Sequence, residues 1–365
     1  MQKQIWNISK LLAWAIDYFK TKEIPEPRLS AELLLSSVLD LSRMDLYLKY
    51  DLELNDYQLK RYREFILRRL GHEPIQYITG EAYFRKIKLD VDKSVLIPRP
   101  ETELLVERAK KVIMHLCGLK KSSGKSPEPY IDNIDSGADV IEKSQKQPKK
   151  IPGEDDSQRG SNDIKNSSPA SQNTNKAINV LEVGTGSGAI AISLLFEAEP
   201  DEGKTFPFDI VATDINGDAL KNALKNAGRI LSPQKNSHLA FFECDVLPQG
   251  NEGFLKKYLS NIDIVISNPP YIAEANYKNL DRQIKDHEPE EALIAGKTGT
   301  EKYSHILKKT RPFLNPESAC IIFETDPLTA PELQKIIKAE FKGCSISIEK
   351  DYNDMDRILV AFIGK

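Results

Sequence analysis

Cysteine is scarce in this 365-residue sequence: Cys117, Cys244, Cys320 and Cys344 stand far apart, with no C-x-x-C pair. That spacing excludes a zinc knuckle and a disulfide framework, so the four read as reduced, mostly buried thiols. Long apolar runs are missing too. Leu11 to Ile16 is far too short to span a bilayer and is followed at once by Asp17, which suits neither a secretory signal nor a transit peptide. Neither charge sign is in large excess: 51 Lys and Arg stand against 54 Asp and Glu, a formal net charge of −3. No global basic field therefore argues for non-specific nucleic-acid binding, although a local patch stays open. The histidines, His72, His115, His238, His287 and His305, lack metal-ligand spacing and read as structural or surface residues. Together these absences point to a cytoplasmic enzyme or binding protein with no membrane segment and no metal; a monomer is expected.

What is present is a globular composition, 40% hydrophobic and 29% charged, on a chain long enough for two folded units. Composition breaks sharply at 118–176, a stretch of Ser, Lys, Asn, Asp, Gln, Pro and Gly that has too little apolar surface to offset its ordering entropy. It reads as a disordered insertion, a solvated spacer in preference to an interaction tail. Before it, Ile8, Leu11, Leu12, Ala15, Ile16 and Phe19 recur at helical spacing behind Ser9, then Leu29, Leu33, Leu34, Val38 and Leu39. Tyr57, Leu59, Tyr62, Ile66, Leu67 and Leu70 continue the pattern behind an Asn55-Asp56 start signal. This predicts a small helical bundle over 1–80. In 81–117 the rhythm turns to period two, with Ile87, Leu89 and Val91 alternating against Lys and Asp, as in a β-hairpin linker; a helix from Glu101 to about His115 follows.

From 177 to 365, short β-rich runs alternate with helical ones, which predicts βαβ units and a parallel sheet. The runs Ser345 to Glu349 and Arg357 to Ile363 end the sheet in an antiparallel hairpin. The fold class that follows is α/β, a class I (Rossmann-like) methyltransferase domain preceded by the helical bundle.

Four motifs carry chemistry. Gly184-Thr185-Gly186-Ser187-Gly188 runs from a strand into a helix, where a ligand can approach backbone closely; the alternative is a tight structural turn. The spacing G-x-G-x-G departs from the G-x-G-x-x-G dinucleotide fingerprint. Asp214 ends the next strand and can accept both hydroxyls of a ribose, a reading preferred over a helix N-cap because the glycine loop supplies the rest of a nucleoside site. Asp245, followed by Val246, is placed to receive an adenine amino group or to serve as a turn aspartate. The most informative motif is Asn268-Pro269-Pro270-Tyr271. Two prolines remove two backbone donors and leave outward carbonyls. The Asn268 side-chain oxygen and the Pro269 carbonyl can then grip both hydrogens of an amino group, and Tyr271 can stack on a flat substrate. This suits methyl transfer to a planar nitrogen, since the same acceptors absorb the charge developing in the transition state. A strand-ending turn would seldom need the whole combination.

On these residues the sequence resembles the PrmC/HemK release factor glutamine methyltransferases. The resemblance takes in His72-Glu73-Pro74-Ile75-Gln76-Tyr77-Ile78-Thr79-Gly80 and Ile97-Pro98-Arg99-Pro100-Glu101-Thr102-Glu103 in the first part. In the second it takes in the glycine loop, Asp214, Asn268 to Tyr271, Glu288-Pro289 and Ala292-Leu293. It implies N5-methylation of the glutamine in the Gly-Gly-Gln loop of class 1 peptide chain release factors. It also implies that Gly184 to Gly188 contact S-adenosyl-L-methionine, that Asp214 binds its ribose, and that Asn268 to Tyr271 hold the acceptor while the helical domain docks the release factor. Two departures stand out. Val246 occupies a position where relatives often carry an aromatic beside the adenine, and Glu324-Thr325-Asp326-Pro327 replaces a Glu-x-Gly pattern. Two rival functions remain: an adenine-N6 methyltransferase of nucleic acid, which the charge balance disfavours, and a non-catalytic translation-factor-binding protein.

Overall fold

The computed structural model describes residues 5–121, 177–199, 207–248 and 261–364. Most of the composition-defined insertion, 122–176, lies outside them.

Five helices open the chain: α1 (Ile8–Thr21), α2 (Pro27–Leu39), α3 (Arg43–Leu48), α4 (Asp56–Leu70) and α5 (Ile75–Thr79). Helix α4 starts where its signal sits. Asn55 accepts from the Gln58 amide while the Gln58 side chain accepts from the Asn55 amide, a capping box. Helix α1 is capped by Asn7, one turn edge earlier than Ser9. The bundle closes over its own apolar cluster, with Phe19, Leu34, Leu35 and Tyr62 fully enclosed. Tyr57 and Leu67, which belong to the helical pattern of α4, instead face solvent.

Strands β1 (Glu81–Phe84) and β2 (Ile87–Asp90) form the hairpin, and α6 (Thr102–Lys121) follows, running past His115 and four residues into the polar stretch. Phe84, Ile87, Leu89, Val95 and Ile97 join the apolar cluster of the following α/β part and leave the bundle's own cluster separate. Arg85 at the hairpin turn clips it there through Glu197 at 2.5 Å and through Glu107.

The main sheet consists of β3 (Ile178–Val183), β4 (Phe208–Asp214), β5 (Leu239–Glu243), β6 (Ile264–Ser267), β9 (Ala319–Glu324), β10 (Ser345–Lys350) and β11 (Asp356–Ile363). Its order is β10-β11-β9-β6-β3-β4-β5, with β11 antiparallel to both neighbours and the remaining pairs parallel. A two-stranded accessory pair, β7 (Ile272–Ala273) with β8 (Ile294–Gly296), has no counterpart in the sequence reading. Period-two burial divides the core. Val180, Ile210, Ile264 and Ile322 face the layer of α6, α7 (Ala189–Glu197) and α8 (Gly217–Ile230), while Leu181, Val211, Val265 and Ile321 face the helices Glu301–Thr310 and Ala330–Glu340. Strands buried on both faces read as near-continuous apolar runs, which is what a parallel sheet covered by two helical layers requires.

The order in which strands are laid down reverses at β3, with β4 to one side and β6 to the other. Register brings Val183, Thr213, Ser267 and Phe323 level at the carboxyl ends. A crevice opens there, at the topological switch point where α/β sheets bind ligands.

Candidate active site

The crevice holds a cavity of about 170 Å³ floored by the glycine loop. Amides of Gly184 and Thr185 both donate to the Thr213 carbonyl at 2.8 and 2.9 Å, which folds the loop back over the end of β4. Gly186 and Gly188 have φ of +55° and +81°, and at Gly188 a Cβ would also lie 2.6 Å from Ile192 Cδ1. Gly188 is therefore the N-cap of α7 and packs against it, behind the cavity wall. Glu182, at the end of β3, is enclosed beside the first turn of α7 and accepts from the Ala191 amide at 3.2 Å. Burial pushes its carboxyl up to about 8, so it is neutral at physiological pH.

Asp214 leaves the N-cap role to Asn216, whose side chain accepts from the amides of Asp218 and Ala219. Its own carboxylate takes the Gly186 amide at 2.8 Å on one oxygen and the Asn216 amide at 2.9 Å on the other. Burial raises its pKa, and those two amides pull it back. An ionised carboxylate has about four acceptor sites, so two remain for vicinal hydroxyls. Asp245 is half exposed at the rim and pairs with His305 Nε2 at 2.5 Å. Val246 is 2% exposed in the apolar layer and is part of the wall of the same cavity, and its carbonyl accepts from Thr213 Oγ1 at 3.2 Å.

Ser267 Oγ donates to the Val183 carbonyl at 2.7 Å and ties the ends of β6 and β3 together just before Asn268. Asn268 Nδ2 donates to Thr102 Oγ1 at 3.1 Å, which leaves Oδ1 as the free acceptor end. Asn268, Pro269 and Pro270 line the larger cavity and also a second one of about 110 Å³, whose far side is made by Tyr271, Leu280, Ile284 and Leu293. Tyr271 lines only the second cavity and packs its ring on the apolar layer beneath. Burial drives its hydroxyl pKa well up, which keeps it neutral. Gly299, at φ +87°, admits the Tyr271 carbonyl to a position 2.6 Å from where a Cβ would be.

Of the residues singled out from sequence, Gly184 to Ser187, Asp214, Asp245, Val246 and Asn268 to Pro270 converge on one cavity, whereas Gly188 and Tyr271 stand just outside it. Sequence reasoning missed three contributors. His305, read as an ordinary histidine, lines the cavity beside Asp245, and only folding brings residues 60 apart in sequence together. Thr102 and Arg99 carried a signal, the Ile97 to Glu103 signature, but no assigned role. Arg99 Nη2 reaches Glu288 Oε1 at 2.5 Å, and the Ile97 amide donates to Glu288 Oε2 at 3.3 Å, so two signatures read separately meet in one wall. In Glu324-Thr325-Asp326-Pro327, Asp326 Oδ1 accepts from the amides of Leu328 and Thr329 at 2.7 and 2.9 Å and turns the chain into the Ala330–Glu340 helix. Among the described residues no cluster of His, Cys, Asp and Glu is arranged to hold a metal, and no helix is long and apolar enough to cross a membrane.

A seven-stranded sheet ending in an antiparallel strand, with a glycine loop and an acidic residue at consecutive strand ends, defines a class I S-adenosylmethionine-dependent methyltransferase, here preceded by a helical bundle. Residues 10–80 match the family model of the PrmC N-terminal domain. The chain is 32% identical to a release factor glutamine methyltransferase of Chlorobaculum tepidum, across 98% of this chain and 97% of that one. It is 27% identical to that of Bacillus subtilis, across 98% and 99%. A solved release-factor-specific protein-(glutamine-N5) methyltransferase from Alicyclobacillus acidocaldarius aligns at a TM-score of 0.33 with 17% identity, covering 76% of this chain and 100% of that one. The chain belongs to the release factor glutamine methyltransferases.

Proposed function

We propose that the chain transfers a methyl group from S-adenosyl-L-methionine to the side-chain nitrogen of the glutamine in the Gly-Gly-Gln loop of class 1 release factors, in the cytoplasm and as a monomer. The observation that carries this reading is the shared wall: Asn268, Pro269 and Pro270 stand between a cavity with nucleoside-binding chemistry and a second cavity lined mostly by apolar side chains together with Arg99.

S-adenosyl-L-methionine supplies an electrophilic methyl on a sulfonium. Asp214 offers its two remaining acceptor sites to the ribose, Asp245 takes an adenine amino group at the rim, and Val246 forms an apolar wall beside the ring. The backbone of Gly184 to Ser187, whose first three amides are already committed to Thr213 and Asp214, accommodates the amino-acid portion chiefly through its carbonyls and the Ser187 amide. Across the wall, Asn268 Oδ1 and the Pro269 carbonyl accept the two hydrogens of the substrate amide. They orient its nitrogen and draw off positive charge as the bond forms, so they favour the transition state over the planar ground state. Tyr271 closes the acceptor cavity as a neutral aromatic wall on which a flat amide packs. No residue has to act as a strong base beforehand, because the methylated nitrogen is acidic enough to release its proton to these carbonyls or to water.

The helical domain is assigned to docking the release factor. It is fixed to the catalytic part by Arg69, whose Nη1 donates to Gln283 Oε1 at 2.6 Å and to the Glu73 carbonyl at 3.0 Å, and by His287 against the Gly71 carbonyl at 2.9 Å. A partner held by that domain is thereby held at a set distance from Asn268. Incubation with methyl-labelled S-adenosyl-L-methionine and either a release factor or nucleic acid tests the reading. Label on the release factor supports it, and label on adenine with none on the release factor overturns it.

A further inference from the structure

Asn268 poses a problem that packing alone does not solve. The two ends of a side-chain amide have nearly the same shape and opposite polarity, so only hydrogen bonding decides which end faces the substrate. For catalysis Oδ1 must face the acceptor nitrogen, because an NH₂ turned there would repel the substrate's own NH₂. The partner at the other end is Thr102 Oγ1, and a hydroxyl can either donate or accept. Something must therefore fix the hydroxyl in turn.

Glu324 meets that need. It lies at the carboxyl end of β9, 1% exposed, next to the 4% exposed Thr102, whose hydroxyl pulls its carboxyl pKa down, and its Oε2 has no hydrogen-bond partner among the described residues. An ionised carboxylate can only accept. It takes the Thr102 proton, leaves the Thr102 lone pairs to accept from Asn268 Nδ2, and so turns Asn268 Oδ1 into the cavity. We propose that Thr102, set by Glu324, is a positioning residue for methyl transfer that fixes which end of the Asn268 amide the acceptor nitrogen meets. This rests on the function proposed above and deepens it.

The charge on Glu324 then governs the chain. Burial pushes its carboxyl up to about 7; Thr102, Arg357 and Arg99 pull it down and Glu101 pushes it up. Tyr271 and Tyr303 also face it, both kept neutral by burial. As pH falls through that value the carboxyl gains a proton and can donate to Thr102. The hydroxyl is then free to donate to Asn268 Oδ1, and the amide turns end for end. Turnover is therefore expected to approach its full value well above pH 7, to be about half-maximal near 7 and to decline below it.

The experiment uses the full chain with a release factor and S-adenosyl-L-methionine, comparing wild type with Thr102→Val, Thr102→Ser and Glu324→Gln. Thr102→Val keeps the shape and removes the hydroxyl. It is expected to lower kcat by roughly ten- to a hundredfold, as for loss of one oriented catalytic hydrogen bond. KM for the release factor, and cofactor affinity by calorimetry, should stay within about twofold of wild type. Thr102→Ser should recover most of kcat. Glu324→Gln should abolish the step in the pH profile of kcat that wild type shows near 7. Unchanged kcat in Thr102→Val, cofactor affinity lost in proportion to rate, or a wild-type pH step that persists in Glu324→Gln would each overturn the assignment while leaving the function intact. A wild-type protein that methylates no release factor would overturn the function, and this assignment with it.

Discussion

At the residue scale the site separates two duties. In the proposed reaction Asp214 serves the cofactor side, and its two bonds to the Gly186 and Asn216 amides shape the glycine loop as well. Asp214→Ala should weaken S-adenosyl-L-methionine binding by about tenfold or more, since it removes a charged hydrogen-bond partner worth roughly 1.5–3 kcal/mol; calorimetric titration reads this directly. Asn268 is proposed to serve the acceptor side. Asn268→Ala should cut kcat by about a hundredfold and leave cofactor affinity nearly unchanged, by the magnitude found for a single oriented group acting on developing charge. Near-normal turnover in that variant would remove Asn268 from the mechanism. Both residues were legible from sequence because Asp214 ends a strand and Asn268 directly follows one. Thr102, Glu324 and the pairing of His305 with Asp245 were not, because their significance is a contact between elements distant in the chain, and a lone Thr, Glu or His carries no periodic signal.

At the scale of elements, local chemistry fixed the boundaries wherever a cap was strong. Asn55→Ala should cost about 1 kcal/mol of stability by removing one half of a capping box, measurable by urea unfolding. Helix α1 was harder to place because Asn7 and Ser9 are both good caps, and the tertiary contacts of Ile8, which is fully buried, decide in favour of Asn7. Tyr57 and Leu67 lie on the outer face of α4, so their apolar character made the bundle's stripe look wider in sequence than it is. The β7 and β8 pair escaped notice because strands of two and three residues have no periodicity to read. The hairpin is clipped to α7 by Arg85 and Glu197, and the latter's carboxyl is held down to about 2 by Arg85 and, more weakly, by Lys110. Its folded pKa lies below its unfolded value of about 4.5, so its stabilisation is complete above that pH and disappears as pH falls toward 2. Wild type should thus lose part of its stability between about pH 4.5 and 2, and Glu197→Gln should lack that part of the loss in acid titrations of thermal melting.

For the whole molecule, the strand order was legible in outline: alternating β and α runs gave a parallel sheet, and two closing β runs gave its antiparallel edge. How the bundle sits on the catalytic part was not, since it depends on Arg69 reaching Gln283 and His287 reaching Gly71. The composition of 118–176, most of which lies outside the described residues, predicts that this stretch adds nothing to the core, and the span from Lys121 to Asn175 is the one to test. Replacing it with a short Gly/Ser linker should leave thermal stability and methyl transfer close to wild type, and a cooperative loss of folding would contradict that expectation.

The central claim is that the wall of Asn268, Pro269 and Pro270 presents a glutamine side-chain nitrogen at fixed reach from the methyl donor. The most direct measurement is the methylation rate of a release factor carrying Gln in its Gly-Gly-Gln loop against one carrying Asn there, with mass spectrometry placing the added methyl. Asn is one methylene shorter, and displacement of a reacting atom by about 1 Å costs on the order of a hundredfold. The account predicts methyl on the Gln side-chain nitrogen and a rate at least about a hundredfold lower with Asn. Equal rates for the two, or methyl on any other residue, would contradict it.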